Sequence, residues 1–387
     1  MIRIFEVLVS LLIVLILAVV IGVLLPSHGH IERSVEVSSP VRQVYDTLNT
    51  FRRFPQWSTL RALDPQVQIR TEGAESGEGA KVSWTSASPK VESGDFLITK
   101  SDLDNKIQMA VNNHWTGQNK SFTIELEPTS NGKTVKIHWA FDSDYGWNLM
   151  QRYAGLYIYG EPAQTIQSEL NNVAALLAGF PNIDYKDQKI DVVDVAARPV
   201  FLVATKAKRS LDEVADATST AVSEIEAEMK KAGLTQAGPR MTITTNWGEE
   251  DYAFSVAIPV SAANYTLDKK DYTIETPVPP ASATDSGGDD EGQAPTFNAG
   301  DKDHAGMLVV GGNVRAALWY QGKALVSDYT GSAAALPLLR LGQKAYAETH
   351  GYKYAEAGLG RSWDELTSAP DAAVDQESFK VYLPIQQ

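Results

Sequence analysis

The chain has 387 residues, enough for two or three domains, and its 43% apolar and 21% charged residues are typical of folded globular proteins. Its net charge of −14 at pH 7 argues against a nucleic-acid-binding function, because contact with phosphates needs a basic surface. With no cysteine, it can form no disulfide, thiolate nucleophile or thiolate metal site.

Residues 1–29 predict a transmembrane anchor. The run from Ile4 to Leu25 is apolar apart from Glu6 and Ser10, and about 20 such residues cross a hydrocarbon core of about 30 Å. A secretory signal has a shorter apolar core and a small-x-small cleavage site, so an uncleaved anchor is favoured over a cleaved signal. Arg3 precedes the run, and the simplest orientation has the N-terminus inside. In a bacterium this predicts a single-pass protein of the inner (cytoplasmic) membrane with periplasmic soluble domains.

Residues 30–180 predict an α+β domain. A strand at 31–37 precedes a helix that Ser39 caps and Pro40 opens, and residues 51–62 are expected to be irregular because of Pro55. From 65 to 141, alternating apolar and polar stretches separated by turn residues predict a meander of strands. A long helix is predicted at about 163–178, after Gly160 and Pro162 interrupt the helical pattern.

Residues 181–189 are interpreted as a linker, and residues 190–387 predict a second α+β domain. A strand leads to a helix in which Ser210 and Glu213 form a capping box and which Gly233 ends, and two strands follow. After an acidic segment at 281–304, interpreted as a mobile loop, the same order of strand, helix and strands recurs. The recurrence predicts a duplicated strand–helix–strand–strand module.

The first domain resembles the START-like SRPBCC superfamily, of the polyketide cyclase/dehydrase type. The resemblance is carried by "RSVEVSSPVRQVYDTLNTFRRFPQWS", by "GEGAKVSW" and by the late helix. It implies a helix-grip fold, in which a curved antiparallel sheet wraps around a long C-terminal helix and leaves an apolar cavity between them.

The second domain resembles the GyrI-like effector-binding domain, which is also found attached to regulators of the AraC and MerR types. The matching segments are "RPVFLVATKA", "AGPRMTITTNW", "FSVAIPV", "ALWYQGKA", "RSWDELTSAP" and "FKVYLPI". The resemblance implies a ligand groove between the two modules. Regulators with this domain carry a helix-turn-helix partner, whereas this acidic chain has an anchor and a START-like domain in that place. Ligand binding without DNA binding is therefore implied.

Aromatic residues are the candidates for the ligand cavity of the first domain. By resemblance Trp57 guards the loop after the first helix, and Trp84 and Trp115 are candidates to line a cavity, because ligand sites are mostly apolar with few polar groups. The alternative is ordinary core packing, where large aromatic side chains dominate burial. The two interpretations stay open for this group.

Candidates in the second domain combine aromatic rings with a carboxylate. The resemblance places an acid near the base of the groove, which matches Asp364, with Glu365 as the alternate. Side chains at 364 and 365 point to opposite faces of a strand, so only one can face the groove. A carboxylate among rings would attract an organic cation by charge and by cation–π contact, whereas a capped turn with a core indole is the alternative. The full candidate set is Asp364, Trp363, Trp319, Tyr320, Trp247 and Tyr252.

Catalytic signatures are absent from the sequence, which contains no HExxH, G-x-S-x-G or P-loop motif. We therefore predict no catalytic residue, no metal site and no cofactor, and we identify no protein partner. The favoured function is a membrane-anchored binding protein for a small hydrophobic or cationic ligand. The alternatives are a hydrolase or cyclase acting on a small organic substrate in the pocket, and an envelope sensor or scaffold protein.

Overall fold

The computed structural model describes residues 2–129, 134–248, 250–278, 297–356, 358–369 and 372–386. The chain divides into two compact units, one formed by residues 1–186 and 348–351 and the other by residues 187–347 and 352–387. Both are mixed α+β structures with large antiparallel sheets, and an apolar helix stands at the N-terminus.

Six α-helices and a seven-stranded sheet build most of the described part of the first unit. The helices are α1 (Ile2–Leu24), α2 (Val41–Leu48), α3 (Phe54–Trp57), α4 (Leu60–Leu63), α5 (Leu149–Ala154) and α6 (Glu161–Ala178). The strands are β1 (His28–Val37), β2 (Gln68–Gly73), β3 (Ala80–Thr85), β4 (Gly94–Asp102), β5 (Lys106–Asn112), β6 (Gln118–Pro128) and β7 (Val135–Asp144).

The sheet of the first unit is a six-stranded meander to which the first strand, β1, adds at one edge. Strands β2 to β7 pair with their sequence neighbours, and β1 pairs along its whole length with β7, so the order is β1-β7-β6-β5-β4-β3-β2. Helix α6 buries Ile166, Leu170, Val173 and Leu177 in the core formed with the sheet. This is the stripe that the helical spacing predicts. The sheet and the late helix are consistent with a START-like fold.

Two proline positions differ from the sequence-based expectations. Pro55 lies within the first turn of α3, where a missing amide hydrogen leaves no helical bond unmade, so residues 54–57 are helical rather than irregular. Pro40 occupies the N-cap position of α2, and no side chain caps that helix, so Ser39 does not act as the predicted cap.

A nine-stranded sheet dominates the second unit, together with helices α7 (Leu211–Lys231) and α8 (Leu336–His350). Its strands are β8 (Asp191–Val195), β9 (Arg198–Lys208), β10 (Met241–Trp247), β11 (Asp251–Pro259), β14 (Leu308–Gly311), β15 (Val314–Trp319), β16 (Gly322–Thr330), β17 (Trp363–Leu366) and β18 (Ser378–Pro384), and β12 (Asn264–Leu267) and β13 (Lys270–Thr273) form a separate hairpin. The order of the nine strands in the sheet is β14-β15-β9-β11-β10-β17-β18-β16-β8.

Helix α7 begins as the sequence predicts. The Ser210 hydroxyl accepts a hydrogen bond from the Glu213 amide at 3.3 Å, and Lys230 and Lys231 lie in the last turn, near the negative end of the helix dipole. Helix α7 follows β9 and precedes β10 and β11, and α8 follows β16 and precedes β17 and β18. In the predicted loop 281–304, residues 281–296 lie outside the described residues. Residues 297–304 form turns, in which the Asp301 amide donates to Asn298 O.

The two faces of the nine-stranded sheet differ in what covers them. The helix face packs on α7 through side chains such as Phe201 and Val256, and on α8 through Val381. The opposite face, here called the aromatic face, carries the cluster of Val200, Leu202, Met241, Ile243, Ala257, Ala317, Trp319 and Trp363. Strand β17, which contains both candidate carboxylates, runs between β10 and β18 in the middle of this sheet.

Candidate functional site

The register of β17 decides which carboxylate meets the aromatic rings. Trp363 lies opposite Ile243 and Glu365 opposite Met241, so both point to the aromatic face, whereas Asp364 points to the helix face. The structure therefore brings Glu365, and not Asp364, to Trp363. We expected Asp364 to face the rings and Glu365 to face away from them. The two side chains do point to opposite faces, but Glu365 is the one that faces the rings.

Asp364 is held by an arginine of helix α8. The Arg340 Nε donates to Asp364 Oδ1 at 3.2 Å, and its Nη2 donates to Oδ2. Both side chains are enclosed, at 10% and 1% exposure. Burial by itself lowers the pKa of Arg340, but the charge and hydrogen bonds of Asp364 outweigh it, so the pKa is raised and the guanidinium stays protonated. The pair can neutralise its own charge inside the protein, which is a structural role.

Tyr252 lies on the same helix face as this ion pair. Its hydroxyl is 3.0 Å from Thr244 Oγ1, its ring stacks on Phe254 at 4.5 Å, and burial raises its pKa. The backbone of Trp247 pairs with Tyr252 across β10 and β11, but the side chain of Trp247 lies outside the described residues. Tyr252 is thus separated by the sheet from Trp319, Tyr320 and Trp363.

Those three rings come together on the aromatic face, with a fourth that the sequence did not indicate. Tyr382 stacks on Trp363 at a centroid distance of 4.8 Å and an interplanar angle of 9°. Tyr320 lies 5.8 Å and Trp319 6.3 Å from Trp363. Trp319 and Trp363 stand on strands four places apart in the sheet, about 19 Å at the usual strand spacing. Their ring contact therefore requires both long side chains to lean toward each other across this face.

Glu365 lies at the edge of the Trp363 ring, with two donors on one oxygen. The indole Nε1 of Trp363 donates to Glu365 Oε1 at 3.2 Å, and Arg198 Nη2 donates to the same oxygen. The Glu365 side chain is 6% exposed, whereas that of Arg198 is 27% exposed. Burial lowers the pKa of Arg198. The arrangement is a nearly enclosed carboxylate whose cationic partner reaches it from the partly open side.

Two further polar atoms are buried here without a partner among the described residues. They are Arg198 Nε and Trp319 Nε1, which lie opposite each other in the register of β9 and β15. Buried polar groups are normally hydrogen-bonded, so these two donors can be satisfied by a bound water or by an acceptor group of a ligand. The cluster of Arg198, Trp319, Tyr320, Trp363, Glu365 and Tyr382 is named the Glu365 site.

The candidates of the first unit divide between core and surface. Trp57 is fully buried, with its ring edge-to-face with Phe54 at 4.8 Å and Trp139 at 5.8 Å, and Trp84 packs against Phe96 at 4.9 Å. Trp115 is half-buried and lines a surface cleft of about 320 Å³. The structure thus places Trp57 and Trp84 inside one packed core and Trp115 at its edge, where Trp115 contacts Phe141 and also lines the cleft.

A buried carboxylate of the first unit was not indicated by the sequence. Glu169, on α6, accepts hydrogen bonds at 3.2 Å from both the amide and the hydroxyl of Thr59. Burial raises its pKa to about 7, which the two bonds from Thr59 only partly offset. A helical position among Ile166, Leu170 and Val173 is the only signal in the sequence that points to its burial.

Among the residues that the structure describes, no group of three or more His, Asp or Glu side chains is arranged to hold a metal ion. One helix, Ile4–Leu24, is long and apolar enough to cross a membrane.

No family model matches the sequence, and no curated protein matches it. Solved structures similar to part of the chain include a truncated norcoclaurine synthase from Thalictrum flavum, at 14% identity over 39% of this chain and 94% of that one, with a TM-score of 0.30. Another is the C-terminal domain of EcmrR, at 10% identity over 52% of this chain and 98% of that one, with a TM-score of 0.34. A protein from Arthrobacter aurescens matches 38% of this chain at 14% identity, with a TM-score of 0.29.

Proposed function

We propose that this protein is a membrane-anchored binding protein for a small organic cation, which it holds at the Glu365 site. The observation that carries the proposal is the Glu365 carboxylate, buried beside the indole of Trp363, which stacks on Tyr382, with a partly exposed arginine as its ion-pair partner. A carboxylate in such surroundings favours a cation strongly, because little water competes for it and the ring faces add cation–π attraction.

Arg198 occupies the position that the ligand's charge would take. Its guanidinium lies next to Glu365, yet more than a quarter of its side chain reaches solvent. Displacing it costs less than displacing an enclosed partner, since the departing guanidinium can be hydrated. A ligand cation would thus replace one cation by another and leave Glu365 paired throughout.

The anchor and the domain arrangement complete the proposal. Helix α1 would cross the inner membrane once, with residues 30–180 and 190–387 as START-like and GyrI-like domains on the periplasmic side. The GyrI-like domain would consist of two strand–helix–strand–strand modules, with the Glu365 site on the sheet that they share. We propose the cleft beside Trp115 as a second apolar binding place, of unassigned ligand.

A second candidate function is an envelope sensor or scaffold. The observation that favours it is the close packing of the aromatic face, where Trp319 and Trp363 are both buried. Under this alternative the residues of the Glu365 site form a buried polar network and bind no ligand. The hydrolase or cyclase alternative has less support, because Glu169, whose pKa is raised to about 7, bonds to Thr59 in the packed core.

Two ions of matched shape and opposite charge distinguish these functions. Equilibrium dialysis of the full-length protein in detergent against tetraphenylphosphonium and against tetraphenylborate measures the contribution of charge directly. If the binding proposal is correct, we expect saturable binding of the cation and at least tenfold weaker binding of the anion. Equal partitioning of both ions into the protein–detergent particle, without saturation, would support the scaffold.

A further inference from the structure

A surface segment of the first unit exposes several large apolar side chains within a short stretch, residues 147–159, here called the aromatic segment. Trp147 is 83% and Tyr157 77% exposed, and Met150, Leu156 and Tyr159 are each more than half exposed. Single exposed apolar residues are ordinary, but a cluster of this kind marks an interaction surface. The only charged residue of the segment is Arg152, and its side chain is buried.

This segment packs directly on the C-terminal part of helix α1. The Tyr153 hydroxyl donates to Ala18 O at 2.6 Å, and a Cβ placed on Gly22 would lie 3.1 Å from the Tyr153 ring and 3.3 Å from Leu149. Ala18 precedes the end of α1 at Leu24 by about 9 Å along the helix axis, at 1.5 Å per residue. Helix α5 therefore lies beside the last two turns of α1 rather than beyond its end.

Arg152 fixes the end of α1 against the same segment. Its Nη1 donates to Val23 O at 2.8 Å and to Leu25 O at 3.2 Å, and its Nε donates to Gly146 O at 2.8 Å. The last carbonyl groups of a helix have no partner within the helix, so a buried guanidinium satisfies them and joins the two segments. The position of the aromatic segment relative to the end of α1 is thus held by polar bonds as well as by packing.

We propose that the aromatic segment inserts into the membrane interface and forms a second contact of the first unit with the bilayer. The inference rests on the proposed anchoring by α1. If α1 spans the membrane, its last two turns lie in or near the headgroup region, and α5, which packs on those turns, lies at the same depth. Tryptophan and tyrosine are the residues that favour this depth, since each has a large apolar ring and a polar atom.

Lipid fits this surface better than a protein partner does. The exposed side chains of the segment continue the apolar surface of α1, which is itself exposed along its length. Because the segment also supplies Ala154, Tyr157 and Ile158 to the cleft of about 320 Å³, insertion would place this cleft next to the bilayer.

The natural chain lacks cysteine, so a single introduced thiol can carry a spin label without interference. The experiment uses the full-length protein in lipid nanodiscs, labelled in turn at M150C, Y157C, V14C in mid-α1, and L103C. Leu103 is a matched control, because it is also an exposed apolar residue but lies at the far end of β5 from the loop that contains Trp115. Collision with oxygen reports lipid, and collision with a soluble nickel chelate reports water.

The measured quantity is the ratio of the collision rate with oxygen to that with the nickel chelate. We expect this ratio to be at least threefold higher for the labels at 150 and 157 than for the label at 103. Water exposure at 150 and 157 with lipid exposure at 14 would overturn the insertion and leave the anchor intact. Protection of 150 and 157 from both reagents would overturn it in favour of a protein partner or second copy. Water exposure at 14 would overturn the anchor and, with it, this inference.

Discussion

Asp364 and Glu365 are adjacent in the chain, both buried and both paired with an arginine, yet the two faces of the sheet give them different surroundings. On the helix face, Asp364 meets an arginine that is itself enclosed and fixed by α8. On the aromatic face, Glu365 meets Arg198, whose side chain reaches solvent and whose Nε has no partner among the described residues. The two carboxylates therefore differ in whether their cationic partner can be released to solvent, and we propose a ligand site only at Glu365.

The largest effect is expected from breaking the enclosed pair. D364N removes the charge that Arg340 needs, so the free energy of unfolding should fall by about 3–5 kcal/mol, as for other buried ion pairs that lose one partner. Urea unfolding of the full-length protein in detergent measures it. D328N is the control, because Asp328 forms an exposed ion pair with Lys380. A loss below 1 kcal/mol would remove the distinction between the two faces.

Glu169 sharpens the comparison, since it is a buried carboxylate with hydroxyl and amide partners and no arginine. Burial raises its pKa from an ordinary 4.5 to about 7, so the folded state holds a proton that the unfolded state has lost. This contribution to stability is full below pH 4.5 and disappears as the pH rises through 7, a change of up to about 3 kcal/mol.

E169Q should abolish that pH dependence and should be more stable than the natural protein at pH 8. Urea unfolding at pH 5 and at pH 8 tests both statements, with E78Q as a control because Glu78 is exposed. If E169Q and the natural protein lose the same stability between the two pH values, Glu169 is ionised in the folded state and the account of its burial is wrong.

A smaller effect is expected from removing Arg198, the partly exposed partner of Glu365. R198M eliminates the cation that competes with the ligand, so tetraphenylphosphonium should bind about tenfold more tightly, or about 1.4 kcal/mol. R61M, at an exposed arginine of the first unit, should leave the affinity unchanged. Weaker binding in R198M, measured by equilibrium dialysis, would mean that Arg198 holds the ligand rather than standing in its place.

Much of the fold follows from local patterns. The stripe of α6 and the Ser210 cap of α7 are set by residues a few positions apart, so periodicity and capping rules predict them well. Trp319 and Tyr320 both lie against Trp363, and their role in ligand binding stays a prediction. Pro55 shows the limit of a local rule, because its effect depends on where the helix begins.

The face of each carboxylate could not be predicted from neighbours alone. Alternation along a strand says that 364 and 365 point apart, but which one meets the rings depends on the pairing of β17 with β10, more than 110 residues away. Arg198 lies 167 residues from Glu365 in the chain, so its contact is visible only in the folded sheet. Tyr382 was missed for the same reason, since its stacking on Trp363 arises from the register of β17 and β18.

The proposed function requires Glu365 to bind the positive charge of an organic cation. The affinity of tetraphenylphosphonium for E365Q, compared with the natural protein and with D328N, measures this requirement. We expect at least tenfold weaker binding in E365Q, or about 1.4 kcal/mol, with unchanged affinity in D328N. Equal affinity in all three proteins would contradict it.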